Sequence, residues 1–421
     1  MSHVLKLFLK VIHSRIYSKC ESQLSYTQFG FRNGLGTRDA LFGYQVLVQR
    51  FWDMNRNLFV CFIDYEKAFD RVRHVKLMQV LQKIGLDFKD CRFIKNLYWN
   101  QSANIRVNRN LSSYIDIERG VRQGCILSPL LFNLYAEAIF SEALDNISDG
   151  ISINGKTLNN IRYADDTILI ADSLEGLQNI VNSVASVSAE YGININTKKT
   201  KFMEISRTPE LINSLYLNGQ VLERVSKFRY LGTMVDDKGD HSLEVRCRIE
   251  QARNTFSRLK RVLCDRNLSI ALRTRIARCY VFSVLLYGVE AWTLTETMSR
   301  KLEAFEMWVY RRMLKISWTD RVRNSTVLQR MGKVPEVLLT IKKRKLEYFG
   351  HVMRNTKKYE LLQLIVQGKV AGRRRPGRRR ISWLKNLRQW FGKSTKSLFR
   401  AAVSKVEIAL MIANLRKETA P

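Results

Sequence analysis

Apolar positions along the chain follow two rhythms. Up to about residue 240, short continuous apolar runs alternate with stretches of helical spacing; beyond it only the helical spacing remains. "NLFVCFIDY" (57–65) reads as a buried strand that runs into an acid, and "TILIAD" (167–172) pairs back on "IRY" as a hairpin around "ADD". Leu174, Leu177, Ile180, Val181, Val184 and Val187 predict a helix from a Ser173 cap to Gly192. "TKFMEIS" and "FRYLGTMVD" predict two further strands. "RGVRQGCILSPLLFNLYAEAIFSEAL" (119–144) begins as a polar loop and becomes a helix, with Ser128 as N-cap and Pro129 at the first helical position, where its missing N–H costs nothing. Later, Val245, Ile249, Ala252, Phe256, Leu259 and Val262 mark one helix, and 268–287 and 300–316 read as two more. The pattern predicts an α+β first part followed by a mostly helical one.

Composition narrows the partners. A chain of 421 residues, 46% hydrophobic, is globular and long enough for two or three domains. Lys and Arg number 71 against 38 acids, a net charge of +33, which predicts a polyanionic partner. The longest apolar run, "YVFSVLLYGV" (280–289), is too short to span a bilayer, so nucleic acid is favoured over a membrane. Seven scattered cysteines without a CxxC pair exclude a disulfide framework or zinc knuckle and point to a reducing interior, nuclear or cytoplasmic, with no secretion signal. "MSHVLKLFLKVIHSRIYSKC" has no acid and four Lys/Arg, the composition of a transit peptide or of an ordinary amphipathic helix. "KVAGRRRPGRRR" (369–380) reads as a basic arm, and "SWLKNLRQWF" (382–391) interleaves aromatic and basic residues, for base stacking or for core packing.

Three acids fall at strand ends: Asp64, and Asp165 with Asp166 in the hairpin turn. Singly each is ordinary, since Asp caps turns and ends strands in many proteins. Brought together on paired strands, they offer the hard oxygen donors that suit Mg²⁺. Two such ions can clamp the attacking and leaving oxygens of an in-line displacement at phosphorus.

The surrounding letters carry a resemblance. "QFGFRNGLGTRDAL" (28–41), "FIDYEKAFDRV" (62–72), "RGVRQGCILSPLLFNLY" (119–135), "YADD" (163–166), "GININTKKTKFM" (192–203) and "FRYLG" (228–232) stand in the order of the motifs of non-LTR (LINE-type) retrotransposon reverse transcriptases, which the chain resembles over most of its length. The resemblance implies a right-hand polymerase. Fingers and a palm with an antiparallel sheet would occupy 1–237, a helical thumb 238–320, and a basic helical C-terminal region 321–421. Asp64, Asp165 and Asp166 would be the catalytic acids and metal ligands, with the Tyr65 carbonyl as a backbone ligand; the cofactor would be Mg²⁺, two ions, with Mn²⁺ as a substitute. Arg32 would hold the triphosphate, Phe69 would exclude a 2′-hydroxyl, Gln123 and Gly124 would line the nucleotide pocket, and Lys199 would meet the leaving pyrophosphate. Tyr230, Leu231 and Gly232 would form the primer grip. Asp70, at a helix start, is left as a structural residue.

The implied activity is RNA-directed DNA synthesis, with an RNA template, a DNA primer or target DNA and dNTPs as partners, and with no membrane or obligate protein partner. The chain departs from the family in having no endonuclease region, no Cys/His knuckle after the thumb, and a first helix that corresponds to the middle of the fingers, so it is expected to be a fragment. Two alternatives stand beside the enzyme: a nucleic-acid-binding remnant that keeps the fold without turnover, and an intron-maturase type of reverse transcriptase.

Overall fold

A computed structural model describes residues 2–99, 101–108, 110–209, 214–373 and 380–417. It divides into two compact units, one made of 1–40 and 56–226, the other of 41–55 and 227–421.

The first unit is built on a five-stranded sheet. Its strands are β1 (Leu58–Ile63), β2 (Asn160–Tyr163), β3 (Asp166–Ala171), β4 (Lys201–Ile205) and β5 (Glu223–Arg224), in the order β5-β4-β1-β3-β2. All pairs are antiparallel except β4 with β5, so the expected antiparallel sheet carries one parallel edge. Every residue of β1 is buried, which is why its sequence is a continuous apolar run and not an alternating one. Phe59, Cys61 and Ile63 meet Leu169 and Ala171 on one face, under Leu177, Ile180, Val181 and Val184 of the helix Leu174–Glu190.

Around the sheet lie α1 (His3–Ser22), α3 (His74–Lys83), α4 (Phe88–Tyr98), α5 (Ser128–Leu144) and α6 (Leu174–Glu190); α2 (Thr37–Met54) starts in the first unit and continues into the second. Ser173 caps α6 by accepting from the Gly176 amide, as its position predicts. The buried positions of α6 recur at helical spacing, and each such aliphatic side chain contributes about 1.5–3 kcal/mol; a charge at Val181 would remove that seat. In α1, Leu9, Ile12, Ile16 and Cys20 join one core cluster with α3, α4 and α5, so the opening segment is a packed helix. Ser128 corrects its expected role. It is the first helical residue, and its hydroxyl donates to the Arg122 carbonyl (2.6 Å) instead of capping.

In the second unit "FRYLGTMVD" is a hairpin and not one strand: β6 (Lys227–Tyr230) and β7 (Thr233–Asp236) pair across the two-residue turn Leu231–Gly232. Both turn residues have positive φ, 45° and 77°, the type I′ pattern whose second position glycine fills without strain. The first compact unit ends at residue 226, before this hairpin.

Among the helices that follow are α7 (Ser242–Arg258), α8 (Ile270–Ile276), α9 (Glu296–Leu314), α10 (Val337–Arg354) and α11 (Trp383–Phe391). The long helix expected over 268–287 is interrupted by a π-turn at Ala277–Phe282. One core cluster runs from Val245 to Ile341, with Trp390 packed against it, so the regions expected as thumb and C-terminal part share a core. "SWLKNLRQWF" contributes Trp383, which is buried, and the rings of Trp383 and Trp390 lie 4.9 and 5.1 Å from the buried Lys345 ammonium. These indoles serve the core rather than bases. Burial drives the Lys345 pKa well down. Half of the basic arm (374–379) lies outside the described residues. No helix among the described residues is long and apolar enough to cross a membrane.

Candidate active site

β1 and β3 deliver the acids. Ile63 pairs with Thr167, so Asp64, one residue on, and Asp166, one residue back, leave the same end of adjacent strands. Tyr163 pairs with Asp166, which leaves Ala164 and Asp165 as a two-residue hairpin turn. Ala164 has φ +57° and Asp165 does not share the positive sign, the pattern of a type II′ turn. An alanine held there costs about 1–3 kcal/mol.

The three carboxylates feel one another. Burial raises the Asp165 pKa, with a further contribution from Asp64 against the lowering effect of its own amide. Burial, then Asp165, then Asp64 push Asp166 up to about 6. Asp166 keeps an open face to solvent, so the shift converts to little folding energy. Asp64 has an immediate counter-charge: the Lys199 ammonium lies 3.7 Å from Asp64 Oδ1. Lys199 was expected to meet pyrophosphate, and here it stands beside the first acid.

The turn 192–200 runs antiparallel to the residues after β1. Asn196 N–H donates to the Asp64 carbonyl (2.8 Å) and Glu66 N–H to the Asn194 carbonyl (2.9 Å). The Tyr65–Ile195 pair between them is the non-bonded kind, so the Tyr65 carbonyl is not used in that ladder.

The donor set fits a hard divalent cation, since it consists of carboxylates whose mutual repulsion a cation would relieve. Among the described residues no three carboxylate, imidazole or thiol side chains are gathered closely enough to hold a metal ion by themselves. A small cation that keeps waters and takes phosphate oxygens does not need such a cage.

Phe69 stacks on Phe132 of α5 (ring centroids 4.2 Å) and meets Phe31 edge-on (6.3 Å), while Phe31 lies 6.1 Å from Tyr163 of the turn. The Phe69 carbonyl accepts from Val121 N–H (2.9 Å), which ties the loop before α5 to this aromatic group. Gln123 and Gly124 are exposed in that loop, with open space beside Gly124.

Arg32, expected to hold the triphosphate, is engaged within the chain. Its guanidinium donates to Glu21 through Nε (2.9 Å) and to the Ser25 and Gln28 carbonyls through Nη1 (2.7 and 3.0 Å), and its Nη2 pairs with Glu21 (2.9 Å). Four of five donors are thereby committed to the chain. Asp70 is exposed in a short 3₁₀ turn, Ala68–Arg71.

Tyr230, Leu231 and Gly232 belong to the second unit, where α7 holds their turn. Arg248 donates to the Gly232 carbonyl and pairs with buried Glu244, and Tyr287 O–H donates to the Leu231 carbonyl (2.9 Å).

Sequence reasoning missed Gln28. Its Oε1 accepts from the Ala164 amide (3.0 Å) directly beneath the acidic turn. A lone glutamine outside any periodic run gives no signal, and only its place at the head of "QFGFR" marked the segment.

A family model described as reverse transcriptase (RNA-dependent DNA polymerase) matches residues 1–235, more than half of the chain. The RNA-directed DNA polymerase from mobile element jockey of Drosophila funebris is 22% identical over 348 residues, 80% of this chain and 37% of that protein. The Pol polyprotein from type-1 retrotransposable element R2 of Nasonia vitripennis is 30% identical over 144 residues, 34% of this chain and 14% of that one. The chain thus spans little more than a third of the longer match and less of the other. Among solved structures, apo telomerase from Candida tropicalis aligns over 86% of this chain and 60% of that one, with 12% identity and a TM-score of 0.42. The chain belongs to the reverse transcriptase (RNA-dependent DNA polymerase) family, and its curated relatives place it in the non-LTR, LINE-type retrotransposon branch.

Proposed function

We propose that this chain is the RNA-directed DNA polymerase of a non-LTR retrotransposon, extending a primer 3′-hydroxyl with dNTPs on an RNA template. The observation that carries it is the register of β1 and β3, which sends Asp64 and Asp166 out of the same sheet end beside Asp165. Reverse transcriptases work with divalent metal ions; here two Mg²⁺, or Mn²⁺, would supply the positive charge that favours the attacking and leaving oxygens.

The chain's own residues do the rest. Asp64, Asp165 and Asp166, with the Tyr65 carbonyl, would bind the ions. Phe69, seated on Phe132, would lie under the incoming sugar and exclude a 2′-hydroxyl. Exposed Gln123 and Gly124 would face the nucleotide, and the Leu231–Gly232 turn, with Tyr230, would steady the primer. The charge of +33 would be met by phosphates, without sequence readout.

Arg32's engagement with Glu21 favours a second reading, a nucleic-acid binder without turnover. Primer extension on poly(rA)/oligo(dT), wild type against Asp165→Asn, separates the two. Extension abolished by the substitution supports the polymerase; binding without extension in either protein supports the binder.

A further inference from the structure

The acidic turn is held from beneath by a residue that has no part in the chemistry. The Gly30 and Ala164 amides both donate to one atom, Gln28 Oε1, at 2.8 and 3.0 Å. Since both neighbours are donors, the side-chain oxygen and not the nitrogen must face them. Gln28 is fully buried, and its Nε2 has no hydrogen-bond partner among the described residues, so the side chain acts here purely as an acceptor.

The segment that carries Gln28 is itself fixed. Phe29 N–H donates to the Arg162 carbonyl (2.8 Å) and Arg162 N–H to the Thr27 carbonyl (2.9 Å), a parallel bridge onto β2. Asn133 Nδ2, buried on α5, donates to the Gly30 carbonyl (2.7 Å). The fit under the turn is close: a Cβ on Gly30 would lie 2.4 Å from the Ala164 nitrogen, so only glycine lets the two backbones approach this far.

Ala164 needs such a hold. Left-handed backbone at a non-glycine residue persists only where its surroundings impose it, and the direction of the next two side chains depends on it. We propose that Gln28 is a positioning residue for the polymerase centre: its buried carbonyl oxygen fixes the Ala164 amide, and through it the aim of Asp165 and Asp166. The proposal rests on the polymerase reading above. It places the effect of Gln28 in turnover and metal requirement, and not in the grip on template and primer.

The test uses the full chain with Gln28→Met, which removes the acceptor, and Gln28→Glu, which keeps it. In Gln28→Met, kcat is expected to fall by about tenfold to a hundredfold, with primer–template Kd unchanged and amide-exchange protection lost over residues 160–170 but kept in β1 and β4. Gln28→Glu is expected to retain that protection and most of the turnover. Wild-type turnover and protection in Gln28→Met, or equal impairment of both variants, would overturn the proposal. Should Gln28→Met fail to fold, the double variant Gln28→Met/Ala164→Gly decides, because glycine takes the positive φ unaided. It is expected to fold and to regain turnover, and inactivity of the folded double variant would count against the hold. If the wild type shows no extension, the polymerase reading fails by itself, and exchange over 160–170 in Gln28→Met still decides whether Gln28 holds the turn.

Discussion

The Lys199 ammonium stands 3.7 Å from Asp64 Oδ1, so the carboxylate that ends β1 already has a cation beside it. Both side chains are largely exposed, 68% and 41%, which limits the pair to about 0–1 kcal/mol. Removing the ammonium leaves a more negative site. Lys199→Ala is expected to lower the half-saturating Mg²⁺ concentration of primer extension by up to about fivefold; a rise would mean that Lys199 acts on the nucleotide phosphates instead.

A proton competes with a cation at Asp166. Its pKa of about 6 lies above that of an unfolded carboxyl, so protonation favours the fold. That contribution is complete below about pH 4 and is lost as pH rises through about 6. In chelator, Asp166→Asn should therefore melt slightly higher than wild type at about pH 7.5, by about 1–3 °C, and the gap should close towards pH 4. Divalent cation should raise the wild-type melting temperature at neutral pH and leave that of Asp166→Asn nearly unmoved. Equal responses in the two proteins would contradict the assignment.

The stack of Phe69 on Phe132 fixes the bulky ring, whose edge-on neighbour Phe31 lies 6.1 Å from Tyr163 before the acidic turn. Phe69→Val shortens the side chain while keeping an apolar contact, and is expected to narrow discrimination between dNTPs and rNTPs by about tenfold or more, a difference of about 1.4 kcal/mol or more at the barrier. Steady-state kcat/KM for dTTP and UTP measures it. Unchanged discrimination would remove Phe69 from the sugar site.

Arg248 links the Leu231–Gly232 turn to Glu244, which is almost fully buried and accepts from Met234 N–H (2.7 Å). Arg248→Met strands that carboxylate, and breaking a buried pair from one side costs about 3–5 kcal/mol. Urea denaturation should show the loss in the second unit. Glu244→Gln/Arg248→Met should recover part of it.

What was legible in the sequence follows from periodicity. β1 declares itself because a strand buried on both faces must be apolar throughout, and α6 because its buried stripe recurs at helical spacing after a Ser cap. The acids stood out because they interrupt such runs. Residues whose roles depend on a partner far along the chain stayed hidden. Arg32 reads as a free cation until Glu21 is seen beside it, and Ser128 as a cap until its hydroxyl is found on Arg122. The β6–β7 turn reads as continuous strand in the sequence because Leu231 hides half of a type I′ signal that an Asn-Gly pair shows.

Two chain segments, a hundred residues apart, are expected to share cations at one sheet end. Iron-mediated affinity cleavage reads this without need of turnover: Fe²⁺ in place of Mg²⁺, with ascorbate and peroxide, cuts the backbone nearest to where it binds. Cuts are expected beside both Asp64 and Asp165–Asp166, and Asp64→Asn should suppress both sets together. Cutting at one segment alone, or at both but indifferent to Asp64→Asn, would contradict a shared site.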